Sequence, residues 1–467
     1  MPETSKSIAE LRSTFGSQIS TEADDLAAHA EDWWPLLKKD TEGVRVARRP
    51  LAVARPSTSA DVARLLKYSA QRNIKVVPFG AGSGVTGACV PVGPAVSLDM
   101  QGMASILSFE PENLRVTVES GIKGGVLETW LNERGWTLGH YPQSLHLSTV
   151  GGWVSTTASG TLSSKYGGIE NLVLGLEVVL ASGETVQFRP VPRAANGPRL
   201  MQLFIGAEGS LGVVSKVTLK TFPLAEERRF VALAPASLES GIATIRSFYA
   251  HHLSPALVRL YDETEAASLY ALTGAAVGRP LLLLCSEGMH AVVDAELASL
   301  EQLAVSAGAT LEDPAVAQRW EEGRYNAEWY ETGNAGATKI ADSIEVSASW
   351  SELAPLYRDV MTVIAPLCSR AMGHISHCYS SGASIYFICF IENDDPAALR
   401  GSYLRLWDAV MERALARGGS ISHHHGIGLV RAKALAAELG SAYCLLQTVK
   451  DAVDVKGTLN PGKLGMR

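Results

Sequence analysis

No stretch of this chain approaches the roughly 20 apolar residues needed to cross a bilayer. The longest candidate, Leu281–Cys285, has only the length of a strand. The opening MPETSKSIAELRS has neither the basic nor the apolar region of a secretory signal. The expectation is therefore a cytoplasmic protein, with peripheral membrane contact left open. Paired cysteines are missing too: Cys89, Cys285, Cys368, Cys378, Cys389 and Cys444 include no CxxC. They read as reduced, mostly buried small side chains. A basic excess is absent, and the net charge of -7 counts against nucleic acid as a partner. Repeats and low-complexity tracts are likewise absent.

What is present describes an ordinary globular protein, with 46% hydrophobic and 19% charged residues. At 467 residues the chain exceeds one compact core, so two or more domains are expected. Residues 1–45 read as a helical segment, with Trp33 and Trp34 available to pack it down. From Arg55 to Val77 the pattern predicts a β-α-β unit. Thr58 or Ser59 caps a helix over DVARLLKYSAQRN, whose Val62, Leu65, Leu66 and Tyr68 share a face. Asn73 closes that helix and Ile74–Val77 forms the next strand. Further strands are predicted at Val96–Leu98, Leu114–Val118 and Leu172–Leu180. Composition changes near Pro223, where amphipathic stretches such as Tyr403–Arg417 begin to alternate with strands such as Leu281–Leu284 and Ala383–Phe390. The predicted division is 1–45, 46–222, 223–415 and 416–467, with the last segment returning to the first half.

Gly82-Ser83-Gly84-Val85-Thr86-Gly87 follows a predicted strand and matches the dinucleotide fingerprint G-x-G-x-x-G. That fingerprint requires a helix to open at its last glycines. Pro91 and Pro94 stand inside the required helix and would break it, which excludes the Rossmann reading. The loop's own physics survives: without Cβ atoms, backbone N–H groups can converge on an anion. Two more glycine-rich strips occur at Gly151–Gly168, preceded by Tyr141-Pro142-Gln143-Ser144, and at Gly206–Val214. Three such strips suit a long cofactor threaded through one domain; a turn-rich β domain would also show them.

The second half contains Gly419-Ser420-Ile421-Ser422-His423-His424-His425-Gly426-Ile427-Gly428. Three adjacent histidines read as metal ligands, as an acid/base cluster, or as an accidental polar run. Consecutive residues of a regular element diverge and cannot all face one metal. No carboxylate stands nearby in sequence at a helpful spacing.

PFGAGSG, STVGGW, TTASG and GAEGSLGVV occur in an order and spacing that resembles the vanillyl-alcohol oxidase / p-cresol methylhydroxylase superfamily. Within it, the chain is most similar to the alkyldihydroxyacetonephosphate synthase branch. The resemblance implies an α+β fold: a two-subdomain FAD-binding module plus an α+β cap (substrate) domain with an antiparallel sheet. It implies FAD bound noncovalently, since no histidine or cysteine stands in the glycine loop where some relatives attach the flavin. Pro78, Phe79, Gly80, Ala81, Gly82, Ser83 and Gly84 would wrap the pyrophosphate. Gln143, Ser144, Thr149, Gly152, Thr156, Thr157, Ala158 and Ser159 would lie beside the flavin and its phosphates. Glu208, Gly209, Leu211, Gly212 and Val214 would contact the rest of the cofactor.

For the chemistry, the resemblance implies a catalytic Tyr386 with His423, His424 and His425, and an Arg259 that binds an acidic group of the substrate. Arg431 aligns with a basic position to which no role is assigned. Relatives that oxidise 2-hydroxy acids carry an acid where His424 stands, and an H-x-G-D-G-N-x-H stretch where this chain has His374-Ile-Ser-His377-Cys. Both changes remove oxygen ligands for a hard cation, so no metal is expected. The implied reaction exchanges the acyl group of an acyl-dihydroxyacetone phosphate-like, lipid-like substrate for an alcohol, through a flavin N5 adduct and without net redox. The alternative is an FAD-dependent oxidase or dehydrogenase of a D-2-hydroxy acid or other alcohol. The substrate would be phosphorylated or carboxylated, and a homodimer is compatible with the resemblance. Against these roles, Tyr386 could be a core aromatic of ASIYFICF, and Arg259 could pair with Asp262 or Glu263.

Overall fold

The computed structural model describes residues 2–273 and 278–467. Its first sheet orders Ile19–Ser20, Ala52–Ala54, Ala95–Asp99 and Lys75–Phe79, with the last three strands parallel. The helix Ser59–Gln71 joins Ala52–Ala54 to Lys75–Phe79, and Ala95–Asp99 is inserted between them. The first strand of this β-α-β unit thus ends just before Arg55, rather than starting there. Thr58 caps the helix through a reciprocal pair: its side chain accepts from the Asp61 N–H, and the Asp61 carboxylate accepts from the Thr58 N–H. Val62, Leu65 and Leu66 are buried in one apolar cluster with Val76, Val96 and Leu98.

A second, antiparallel sheet orders Ile106–Glu110, Arg115–Glu119, Val213–Lys220, Val173–Val179 and Thr185–Phe188. Two predicted strands start later than expected. Leu114 takes a left-handed φ of 52°, and Ile169–Leu172 forms a short helical turn before Val173. The N-terminal segment contains the expected helices Pro2–Phe15, Ala23–Ala28 and Glu42–Ala47. It also supplies the edge strand Ile19–Ser20 to the first sheet, so it is built into that sheet rather than laid over it. Trp34 is buried and donates from Nε1 to the Tyr403 hydroxyl at 2.9 Å, while Trp33 stacks on Tyr330.

Beyond Pro223 lies a seven-stranded sheet in which every pairing is antiparallel. Its order is Thr310–Leu311, Glu227–Ala234, Leu281–Gly288, Leu257–Tyr261, Arg370–Tyr379, Gly382–Glu392 and Lys339–Ser349. Side chains alternate across a strand, so each strand divides its residues between two faces. Phe387 stacks on Tyr357 of the helix Trp350–Ile364, and Leu260 lies against Gly241 of the helix Leu238–Ala250. That face packs on these two helices, and neighbours such as Tyr386 and Arg259 occupy the opposite face, part of which meets the helices Glu263–Thr273 and Pro314–Gly323. The tail returns to the first half: Leu459 bridges Val76, Asn460 N–H donates to the Val76 carbonyl, and the buried Lys463 donates to the Val90 carbonyl. Among the described residues, no helix is long and apolar enough to cross a membrane.

Candidate active site

The three glycine strips converge. A Cβ on Gly80 would lie 2.5 Å from Thr149 Oγ1, and one on Gly209 would lie 2.7 Å from Pro78 Cγ. Gly206 and Glu208 donate their amides to the Val154 and Ser155 carbonyls at 2.9 and 2.8 Å. Thr149 caps the helix Val150–Thr156 by accepting from the Gly152 N–H, and Thr156 donates to the Gly152 carbonyl. Between the strips, the amides of Ala81, Gly82, Ser83 and Gly84 meet no acceptor among the described residues. A run of free amides on a half-buried loop, with close approach secured by glycine, fits a pyrophosphate. The loop is held from behind by Asp32, whose carboxylate accepts from the Gly87 N–H at 2.8 Å, and by the Trp33 N–H on the Gly84 carbonyl. Burial pushes the Asp32 carboxyl up to about 7.

The remaining predicted cofactor residues divide. Ala158 and Ser159 follow Thr157, which takes a left-handed φ of 54° at the helix end. Ser144 donates to Ser148. Gln143 is exposed and reaches across to the Arg324 carbonyl of the second half. Leu211 and Val214 are buried in the apolar core, where Gly212 lies against Val178 and Phe204. The Glu208 side chain is engaged within the protein. Its carboxylate accepts from the Ile427 N–H at 2.6 Å and the Gly428 N–H at 2.9 Å, which ties the Gly-Ile-Gly turn to the first half.

Against the second glycine strip, where Ser163 Oγ meets His377 Nδ1 at 2.8 Å, lies the other face of the seven-stranded sheet. One end of that face is covered by the helix Pro314–Gly323, whose Trp320 donates to the Tyr261 hydroxyl at 2.6 Å. Register places Glu345 opposite Tyr386, Tyr386 opposite His374, and His374 opposite Tyr261, so the four form a row across neighbouring strands. Tyr386 stacks on His374 at 4.6 Å between ring centres. Arg259, two residues from Tyr261 on the same face, contacts His374 Nε2 at 2.8 Å, and Glu265 holds the other nitrogen of that ring. The strand shifts register between Ser376 and Cys378, and His377 takes a φ of 49° at the irregularity. A bulge turns a side chain toward a new direction. Here it brings His377 Nε2 to 3.2 Å from the Tyr386 hydroxyl.

The histidine run sits against this row. Tyr386 Oη is 2.7 Å from His424 Nε2, and His424 Nδ1 is 2.8 Å from His423 Nδ1. Glu345 anchors the run from beneath. Its carboxylate accepts from the His423 N–H at 2.5 Å and the His425 N–H at 3.0 Å, and it pairs with Arg431 at 3.0 Å. The reading that no carboxylate accompanies the histidines holds only along the sequence. A strand some 80 residues earlier, KIADSIEVSAS, supplies one in Glu345, and its signal is an acid set among apolar residues and serines. The strand's other acid, Asp342, accepts instead from the Tyr403 hydroxyl and the Trp407 indole. Arg431, wholly buried, gains a role from this geometry: it neutralises Glu345 and also donates to Ser422 Oγ and the Gly426 carbonyl.

Tyr386 is not a plain core aromatic, since its neighbour Phe387 packs on Tyr357 of the helix Trp350–Ile364 while Tyr386 meets histidines. Arg259 does not pair with Asp262. That carboxylate lies on the other face, accepting from the Tyr357 hydroxyl and the Gly373 N–H. Burial, reinforced by neighbouring His425, His377 and His423, holds the His424 imidazole well below its ordinary range. Burial, with His423 and Arg259, does the same at His377, and burial brings His425 down to about 4. Burial opposes ionisation of Glu345, yet Arg431 and the histidine loop outweigh it and hold its carboxyl down to about 2. Burial, assisted by Glu345, raises the Tyr386 phenol. At neutral pH the cluster therefore presents a protonated phenol against neutral imidazoles over one buried anion, an arrangement suited to moving protons.

Comparison with known proteins agrees with this architecture. The FAD binding domain family matches residues 50–189, and the C-terminal domain of FAD linked oxidases matches residues 224–464. The chain is 31% identical over 449 residues to the FAD-linked oxidoreductase YgcU of Escherichia coli O157:H7, covering 91% of each. It is 29% identical to the alkyldihydroxyacetonephosphate synthase of Caenorhabditis elegans, covering 88% of this chain and 75% of that one. It is 27% identical to a D-lactate dehydrogenase of Anaerostipes hadrus, covering 89% and 90%. A solved alkyldihydroxyacetonephosphate synthase superposes with a TM-score of 0.82 at 24% identity, over 99% of this chain and 86% of that one. A p-cresol methylhydroxylase structure gives 0.80 at 18% identity, over 100% and 97%. The chain belongs to the FAD-linked oxidases, a flavoenzyme family.

Proposed function

We propose that this flavoenzyme binds FAD noncovalently in the glycine cradle and exchanges the acyl group of an acyl-dihydroxyacetone phosphate-like substrate for an alcohol, without net redox. The observation that carries the reading is the Tyr386 hydroxyl held between His424 Nε2 and His377 Nε2, at 2.7 and 3.2 Å. Where relatives that oxidise hydroxy acids place an acid, this chain has an imidazole hydrogen-bonded to a phenol. FAD, when bound, supplies the electrophilic ring system that lets the substrate carbon exchange its oxygen substituent. The protein's residues do the rest. Arg259, half-buried beside His374, offers guanidinium N–H groups to the substrate phosphate. A neutral imidazole of the run accepts the proton from the carbon beside the ketone and returns it to that carbon once the alcohol has entered. Tyr386 gives a proton to the departing carboxylate oxygen and takes one from the entering alcohol. One C–O bond breaks, one forms, and the electron count is unchanged.

A second reading, oxidation of a 2-hydroxy acid or other alcohol, is favoured by the likeness to a D-lactate dehydrogenase, and Arg259 would serve a carboxylate equally well. Anaerobic mixing separates the two. On the transfer reading, palmitoyl-dihydroxyacetone phosphate and hexadecanol yield palmitate and the alkyl ether while the flavin spectrum stays oxidised. Bleaching by D-lactate, followed by recovery with an electron acceptor, contradicts it and establishes the second.

A further inference from the structure

Around Tyr386, six side chains close a ring of hydrogen bonds. Tyr386 Oη meets His424 Nε2 at 2.7 Å, and His424 Nδ1 meets His423 Nδ1 at 2.8 Å. His423 Nε2 meets Tyr379 Oη at 3.0 Å, and Tyr379 Oη meets Ser163 Oγ at 3.4 Å. Ser163 Oγ meets His377 Nδ1 at 2.8 Å, and His377 Nε2 returns to Tyr386 at 3.2 Å. Five of the residues come from the second half, while Ser163 comes from the second glycine strip of the first.

A neutral imidazole has one donor and one acceptor nitrogen, and a hydroxyl donates one proton. With the imidazoles neutral, every member of the ring can then donate once and accept once, in only two orders. In one, Tyr386 donates to His424, which donates to His423, then Tyr379, Ser163, His377 and back to Tyr386. The other order runs in reverse. Each fixes His423 and His377 in one tautomer and His424 in the opposite one. Ordered chains of this kind polarise one another and pass protons by exchanging short bonds.

Tyr386 and Tyr379 occupy different ends of this ring. Beside Tyr379 and His423 a groove of about 320 Å³ is lined by Ser347, Ser349, Ser381 and Ser420. Ser349 and Ser381 are exposed, whereas Ser163 and His377 are buried. Tyr379 and His423 line this groove, which puts their end of the ring beside its hydroxyl-bearing wall.

We propose that Tyr379 is the solvent port of a proton relay that recharges Tyr386 through Ser163 and His377. When Tyr386 loses its proton to a substrate oxygen, His377 donates from Nε2 and accepts from Ser163 at Nδ1. Ser163 takes the Tyr379 proton, and Tyr379 takes one from water in the groove. One O–H bond breaks at Tyr386, one forms on the substrate, and one solvent proton enters. No oxidant or reductant is involved. The run through His423 and His424 carries the opposite traffic, returning a proton from Tyr386 to the groove. The inference rests on Tyr386 being the proton-transfer group of the proposed function.

Tyr379→Phe and Tyr386→Phe holoenzymes, assayed with palmitoyl-dihydroxyacetone phosphate and hexadecanol, test it. Tyr379→Phe is expected to lose about tenfold or more in kcat, a fraction of the ~10²–10⁴ that acid–base catalysis contributes. KM and FAD content should hold, and added imidazole should restore turnover in proportion to its concentration. A merely structural tyrosine would give no such dependence. Unchanged kcat, or a deficit that imidazole leaves untouched, overturns the relay. Full turnover in Tyr386→Phe overturns the proposed function and the relay with it. If wild type does not turn over this pair, the proposed function fails alone, and ¹⁵N spectra of the histidine rings in the holoenzyme decide the relay. Opposite tautomers for His423 and His424, with His377 matching His423, support it; matching tautomers for His423 and His424 overturn it.

Discussion

The cradle around Pro78–Gly84 offers backbone amides, while the cluster around Tyr386 offers rings, hydroxyls and one buried carboxylate. In the first region the useful groups belong to every residue type but proline, and side chains matter mainly by staying out of the way. In the second, each side chain has a specific partner, and the backbone matters through register. The two regions should therefore fail differently. Damage to the cradle should release flavin with little effect on the chemistry of the molecules that keep it. Damage to the cluster should stop the chemistry with flavin in place.

The largest effect on stability should come from Arg431→Leu. It leaves the wholly buried Glu345 without its cation, and breaking a buried pair from one side costs about 3–5 kcal/mol. Urea unfolding of the holoenzyme measures it; a loss under 1 kcal/mol would show that the histidine-loop amides alone satisfy Glu345. Next comes pH. His425, brought down to about 4 by burial, stays neutral when folded but protonates when unfolded below its ordinary 6.5. The unfolded chain then binds more protons, so stability falls as pH drops from about 6.5 to 4, by on the order of 3 kcal/mol. Glu345 acts lower: its folded carboxyl titrates near 2 against an ordinary 4.5, so its contribution is full above 4.5 and lost as pH falls toward 2. Thermal melts across pH 3–7 test both, and a flat profile between 6.5 and 4 contradicts the buried neutral imidazole.

Smaller effects should fall on the cradle. Gly209 has a φ of 70° and lies against Pro78, so Gly209→Ala should cost about 1–3 kcal/mol of strain. The expected readout is weaker FAD retention on dilution with unchanged turnover per bound flavin. Unaltered retention would separate Gly209 from the cradle. Thr149→Ala removes a helix cap and should cost about 1 kcal/mol in thermal or urea unfolding.

The same contrast explains what the sequence could reveal. Glycine strips are local features, and their order along the chain is enough to recognise a cofactor module. Alternation in ASIYFICF is local as well, and it separates Tyr386 from Phe387 once one face is known. The row Glu345–Tyr386–His374–Tyr261 is not local. It depends on pairing four strands in one register, and its outermost acid lies 80 residues from the histidines it supports. The bulge at His377 and the contribution of Ser163 are equally long-range. Glu208 shows the converse: a residue inside a recognisable strip whose side chain serves the protein's own turn. Arg431 had no legible role because its partner becomes apparent only when the edge strand is in place.

The division between holding and reacting is tested most directly by Tyr386→Phe, with flavin content and turnover measured on the same preparation. The variant is expected to keep a full complement of oxidised FAD with kcat lowered by at least ~10²-fold, the lower range for a lost acid–base group. Wild-type turnover, or flavin lost in step with activity, would contradict it.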